Sequence, residues 1–160
     1  MAAGGLGRTL SYKVFVRRER GLLEAPGHPP TRPPMPTRSC IVVADDNHDA
    51  ADSLAQLLGL MGYDAVAVYD GEQAVRACHD LHPDLAILDV QMPVLDGCAA
   101  ARRIRDGEDG HAPMLASLSA LKLQDEPLRS EHELFDTHLS KPLRLEELST
   151  LLERTTACAR

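Results

Sequence analysis

The sequence predicts an α/β fold, a doubly wound parallel sheet of five strands with five helices. Three observations carry this. From about residue 40 to 156, short apolar runs alternate with segments whose apolar residues recur every three or four positions. That is the pattern of strands alternating with helices. Strands separated by helices pair in parallel through right-handed crossovers. The hydrophobic fraction is 44%, enough for a core, and aromatics are only 3%, so that core is aliphatic.

The elements follow in order. Ile41–Ala44 is a short apolar run and reads as the first strand. Asn47 is suited to cap the helix after it. Ala51, Leu54, Leu58 and Met61 mark that helix's inner face, and Gly62 ends it. Ala65–Tyr69 is the second strand, followed by an Asp70-Gly71 turn. Ala74, Val75, Cys78 and Leu81 mark the second helix, closed by His82-Pro83. Leu85–Leu88 is the third strand, and Asp96 caps a helix running to about Arg105. Met114–Leu118 is the fourth strand, with Met114, like Met61, expected in the core. Residues 122–134 form the least regular helix, being polar and containing Pro127. Thr137–Ser140 is a short fifth strand, and Leu143 to Thr155 a last helix with Leu145, Leu148, Leu151 and Leu152 inward. The expected strand order is 2-1-3-4-5, the flavodoxin-like arrangement, whose switch point lies between strands 1 and 3.

Two regions differ in composition. Residues 1–38 hold Gly4-Gly5, a basic run Arg17-Arg18-Glu19-Arg20 and six prolines between Pro26 and Pro36. They read as a mostly disordered extension with at most a short transient element around Ser11–Val16. An inert tail or a start misassigned upstream of Met35 is favoured over a docking arm. Residues 39–157 read as the folded domain. Residues 1–39 carry seven basic and two acidic residues, a net +5; residues 40–160 carry ten basic and 22 acidic, a net −12. An acidic body argues against direct nucleic-acid binding. No apolar run approaches the ~20 residues a membrane helix needs. Cys40, Cys78, Cys98 and Cys158 are widely spaced and read as reduced, mostly buried thiols of a cytoplasmic protein.

The chemistry concentrates at strand ends. Asp45 and Asp46 follow the first strand, Asp89 the third, Ser119 the fourth and Lys141 the fifth. In such a sheet these positions share one edge. Three carboxylates repel one another unless a cation joins them, and oxygen-only donors suit Mg²⁺. A carboxylate can act as a nucleophile toward phosphorus. A cation, a lysine and a hydroxyl can then neutralise or bind the phosphoryl oxygens. Neither G-x-x-x-x-G-K-[ST] nor a G-x-G-x-x-G after the first strand is present.

VVADDN at 42–47, LDVQMPVLDG at 88–97, LSA at 118–120 and HLSKPL at 138–143 together resemble the receiver domain of two-component response regulators, of the chemotaxis-regulator type. The resemblance covers about three quarters of the chain. It implies that Asp89 is the phospho-acceptor, that Asp46 binds Mg²⁺ directly and Asp45 largely through water. It also implies a metal bond from the backbone carbonyl of Gln91, and catalytic roles for Ser119 and Lys141. A cis bond before Pro142 is a further implication. Two positions depart from the family pattern. The usual aromatic switch residue is His138 here, and Leu134 stands where a glycine often precedes Phe-Asp.

The implied function is phosphoryl acceptance from a histidine kinase or histidine phosphotransfer protein, with output through an unidentified protein partner. Derivation from a hybrid kinase is open. With the chain stopping at Arg160, an output domain for DNA is not expected. The domain is expected to be no enzyme beyond self-phosphorylation and slow dephosphorylation. The alternative is a phosphorylation-independent binding module on the same fold. A phosphohydrolase is disfavoured because Gln91 stands where a second acid would serve turnover.

Overall fold

The computed structural model describes residues 13–15, 39–107, 112–120 and 132–158. In chain order the elements are β1 Lys13–Phe15, β2 Cys40–Ala44, α1 His48–Leu60, β3 Asp64–Val68, α2 Gly71–Leu81 and β4 Leu85–Asp89. Then come α3 Gly97–Arg105, β5 Met114–Ser119, a 3₁₀ turn His132–Leu134, β6 Thr137–Ser140 and α4 Leu145–Cys158. The sheet order is β1-β3-β2-β4-β5-β6. From β3 to β6 it is the parallel 2-1-3-4-5 arrangement expected. The expected fourth helix over 122–134 lies outside the described residues, except for the 3₁₀ turn.

The sixth strand adds to the five expected. Lys13–Phe15 falls within Ser11–Val16, where the sequence allows at most a short transient element, and it pairs antiparallel with β3, Val14 opposite Val66. Three residues carry too little periodicity to declare a strand; an open sheet edge is what recruits them.

Alternation along each strand builds two cores. Val42, Ala44, Val66, Val68, Ala86 and Leu88 face α2 and α3, meeting Ala74, Ala77, Ala101 and Ile104. Ile41, Val43, Ala65, Ala67, Leu85 and Ile87 face α1 and α4, meeting Ala55, Leu58, Leu148 and Leu151. Burial on both faces explains why the central strands read as continuous apolar runs. No described helix is long and apolar enough to cross a membrane.

Helix ends mostly follow local chemistry. Asn47 and Asp96 cap α1 and α3 by accepting from the Ala50 and Ala99 amides. Gly62 takes φ +101 just past α1, and His82 closes α2 at φ 46. Three details differ from expectation. Asp70 opens a helix, not only a turn, capping α2 through the Gln73 amide. Met61 is 42% exposed because α1 ends one residue earlier, so its helical spacing no longer aims it inward. Leu145 is 63% exposed. As the first residue of α4 it has no turn beneath the patch that a helical side chain covers.

Candidate functional site

The carboxyl ends of β2 and β4 are neighbours in the sheet, Ala44 opposite Leu88. The residues that follow therefore meet. Carboxylate oxygens of Asp45, Asp46 and Asp89 all lie within 4.8 Å of one another. Asp45 and Asp89 are buried and Asp46 is exposed. Lys141, after β6, places Nζ 2.8 Å from Asp45 Oδ2 and 3.1 Å from Asp89 Oδ2. The Lys141-Pro142 bond is cis.

Backbone groups hold the remaining oxygens. The Asn47 amide donates to Asp45 Oδ1 at 2.9 Å, and the Gln91 amide to Asp89 Oδ1 at 3.1 Å. The loops are tied to neighbouring strands by Asp45 N–H to Val68 O, Val90 N–H to Leu118 O and Lys141 N–H to Ser119 O. Ser119 is buried at the same edge, opposite Ser140 of β6. His138 goes elsewhere. Its Nδ1 lies 2.8 Å from Ser117 Oγ, and its ring meets Phe135 edge-on at 5.8 Å.

Burial pushes the Asp89 carboxyl above the usual range, and this outweighs the opposing bonds from Lys141 and the Gln91 amide. Burial acts to lower Lys141, but its bonds to Asp45 and Asp89 win, and its pKa is raised. One ammonium thus leaves excess negative charge between two buried acids. Each carboxylate has lone pairs beyond its protein bonds. An all-oxygen, highly charged donor set fits a hard divalent cation.

Lys141→Ala removes the shared partner of two buried acids. It should destabilise the cation-free protein by about 2–3 kcal/mol at neutral pH. The effect sits at the low end of the range for buried pairs because the lysine side chain is 33% exposed. Urea unfolding should show the deficit shrinking at saturating divalent cation, and again in acid, as the Asp89 carboxyl, raised by burial, takes up its proton. An equal deficit under all three conditions would mean that charge balance is not what Lys141 supplies.

Two glycines belong to the site although only their turns were legible. A Cβ on Gly97 would collide with the carbonyl oxygen of Asp89, and one on Gly71 with that of Leu95 in the loop after β4. The repeated Asp-Gly pair was the available signal.

Comparison with known proteins is consistent along the chain. The family model for the response regulator receiver domain matches residues 41–153. The response regulator MprA of Mycolicibacterium vanbaalenii is 36% identical over 126 residues, covering 76% of this chain and 53% of that protein. The transcriptional regulatory protein PrrA of Mycobacterium tuberculosis is 34% identical over 108 residues, covering 68% and 46%. The chain spans about half the length of the curated relatives it matches. Among solved structures, the receiver domain of the Pseudomonas aeruginosa sensor histidine kinase PA1611 superposes with TM-score 0.65 at 31% identity, covering 74% of this chain and 97% of that one. That structure has a magnesium ion coordinated in its active-site cleft. The receiver domain of a Syntrophus aciditrophicus signal transduction histidine kinase gives TM-score 0.68 at 27% identity, covering 76% and 92%.

Proposed function

The chain belongs to the response regulator receiver family, and on that premise we propose that Asp89 accepts a phosphoryl group from a phosphohistidine of a histidine kinase or phosphotransfer protein. The observation that carries this reading is Lys141 bridging two buried acids from adjacent strands, beside a third acid. An Asp89 carboxylate oxygen forms the new O–P bond. The P–N bond to the donor breaks, and its electron pair returns to the imidazole nitrogen. Lys141 is close enough to Asp89 to offset charge on the transferred group. Ser119 supplies a hydroxyl at the same edge.

Asp45, Asp46, Asp89 and the Gln91 carbonyl are the residues that would hold Mg²⁺. When bound, the ion would neutralise phosphoryl oxygens in the transition state. The product adds negative charge to a buried site and biases a two-state equilibrium that a protein partner reads. His138, anchored to Ser117, is the residue proposed to answer that change on β6.

The test is intact-mass analysis after incubation with acetyl phosphate and Mg²⁺, with and without EDTA. A gain of about 80 Da, one phosphoryl group, is expected only with Mg²⁺. No gain in either arm would discard phosphoryl acceptance and favour a binding module that signals without it.

A further inference from the structure

The β3 edge gains its extra strand from the chain's own start. Beside that strand lies a polar cluster on α1 and the end of β3. Lys13 Nζ donates to Asp52 Oδ2 at 2.7 Å, and Tyr69 Oη donates to Asp52 Oδ1 at 2.7 Å. The Tyr69 ring stacks on His48, with centroids 3.8 Å apart and planes 17° apart. Asp52 therefore clamps an N-terminal residue to the end of the neighbouring strand.

We propose that the β3 edge and Asp52 form a docking site for an extended, lysine-bearing segment, and that Lys13–Phe15 is its intramolecular occupant, a releasable latch. Three arguments support it. Asp64–Val68 reads DAVAV, with no lysine, arginine or proline. Beyond Asp64 at its start, the strand carries no charge or proline to keep that edge from pairing with another chain, so a cover is favoured. Position 13 opposite Ala67 is where a lysine reaches Asp52, which fixes the docking register by charge as well as by backbone bonds. The side-chain hydrogen bonds from Lys13 and then Tyr69 also hold the Asp52 carboxyl below its usual range.

The third argument is length. Phe15 lies opposite Ala65, which lies opposite Ile41. Two strand spacings, about 10 Å, separate Phe15 from Ile41. The sequence between Phe15 and Cys40 is 24 residues long. At about 3.3 Å per residue, a chain of that length can reach several times this gap. The covalent connection is therefore long enough for release, and it keeps the strand in reach of its edge whatever the protein concentration. Docking within one chain therefore outcompetes the same strand of a second copy at ordinary protein concentrations. The latch does not depend on the phospho-acceptor reading.

The experiment is hydrogen exchange on the full chain carrying Lys13→Gly, Val14→Gly and Phe15→Gly. Amides of Asp64–Val68 should exchange about tenfold faster, while those of Leu85–Asp89 in the central strand stay as in the wild type. A synthetic peptide of residues 10–17 should restore the β3 protection in trans. Unchanged β3 exchange, or no restoration by the peptide, would overturn the proposal. If the triple variant unfolds as a whole, charge reversal decides. Lys13→Glu and Asp52→Lys should each speed β3 exchange, and the double variant should recover it. Failure to recover would overturn the latch. A wild-type dimer at about 10 μM that the triple variant abolishes would overturn docking within one chain.

Discussion

Asp89→Asn should eliminate phosphoryl incorporation and, in cation-free buffer, make the protein more stable than the wild type. The first effect follows from the role proposed for Asp89: an amide oxygen is not an anionic oxygen, so no acyl phosphate would form. Intact mass reads it directly, and a residual gain of mass in the variant would move the acceptor to another residue. The second effect comes from burial. Asp89 is 5% exposed and shares one lysine with Asp45, so its charge is poorly compensated. An amide can still accept a hydrogen bond from Lys141 or the Gln91 amide. A gain of about 1–2 kcal/mol is expected, seen as several degrees in thermal midpoint.

The same charge sets a pH dependence. The folded carboxyl of Asp89 is raised above its unfolded value of 3.8 because burial penalises the anion. Between those two values the folded state binds the proton more tightly than the unfolded chain. Stability from this group is therefore full below the unfolded value and falls as pH rises toward the folded one. Lys141, raised by its acids, contributes stability that is complete below its unfolded value of 10.5 and is lost as pH rises through its folded one. Asp89→Asn should flatten the acidic slope alone. Divalent cation at ten times its dissociation constant should stabilise the wild type by about 1.4 kcal/mol and the variant by much less. Equal stabilisation of both would separate the cation from Asp89.

Gly97→Ala should be the most damaging single-methyl addition near the site. The new Cβ would meet the carbonyl oxygen of Asp89, with Asp89 C and Val90 Cα each at 2.9 Å. All three are backbone atoms, so no rotamer change relieves the collision. Either α3 moves away from the sheet or the strand end carrying Asp89 shifts. A cost of about 3 kcal/mol or more is expected in denaturant unfolding, at the upper end for overpacking. Phosphoryl incorporation should slow as the Asp89 loop moves. Gly62→Ala is the internal comparison: its Cβ meets nothing within 4 Å, but its φ of +101 strains any side chain. Only about 1 kcal/mol is expected there. If both cost the same, close approach at Gly97 is not what requires the glycine.

The two glycines show where local reading stops. Asp96-Gly97 announces a helix start through its cap, and the cap is found. That Gly97 also touches the backbone of Asp89 cannot be read from either segment alone, because it depends on how α3 packs against β4. Met61 and Leu145 fail for a related reason. Apolar spacing places both on an inner face, but each stands at or beyond a helix end, where the period loses its meaning.

The alternation of five parallel strands with helices, the two-sided core and the gathering of Asp45, Asp46, Asp89, Ser119 and Lys141 at one edge were legible in the residues alone. Those features follow from side-chain periodicity and from the rule that parallel strands end on the same side. The pairing of Lys13–Phe15 with β3, the Lys13–Asp52 clamp and the hydrogen bond between His138 and Ser117 emerge in the fold alone. Each joins residues whose local sequence carries no signal of the partner. A three-residue strand exists because β3 offers an edge, and an exposed lysine has a fixed partner because that edge sets its register.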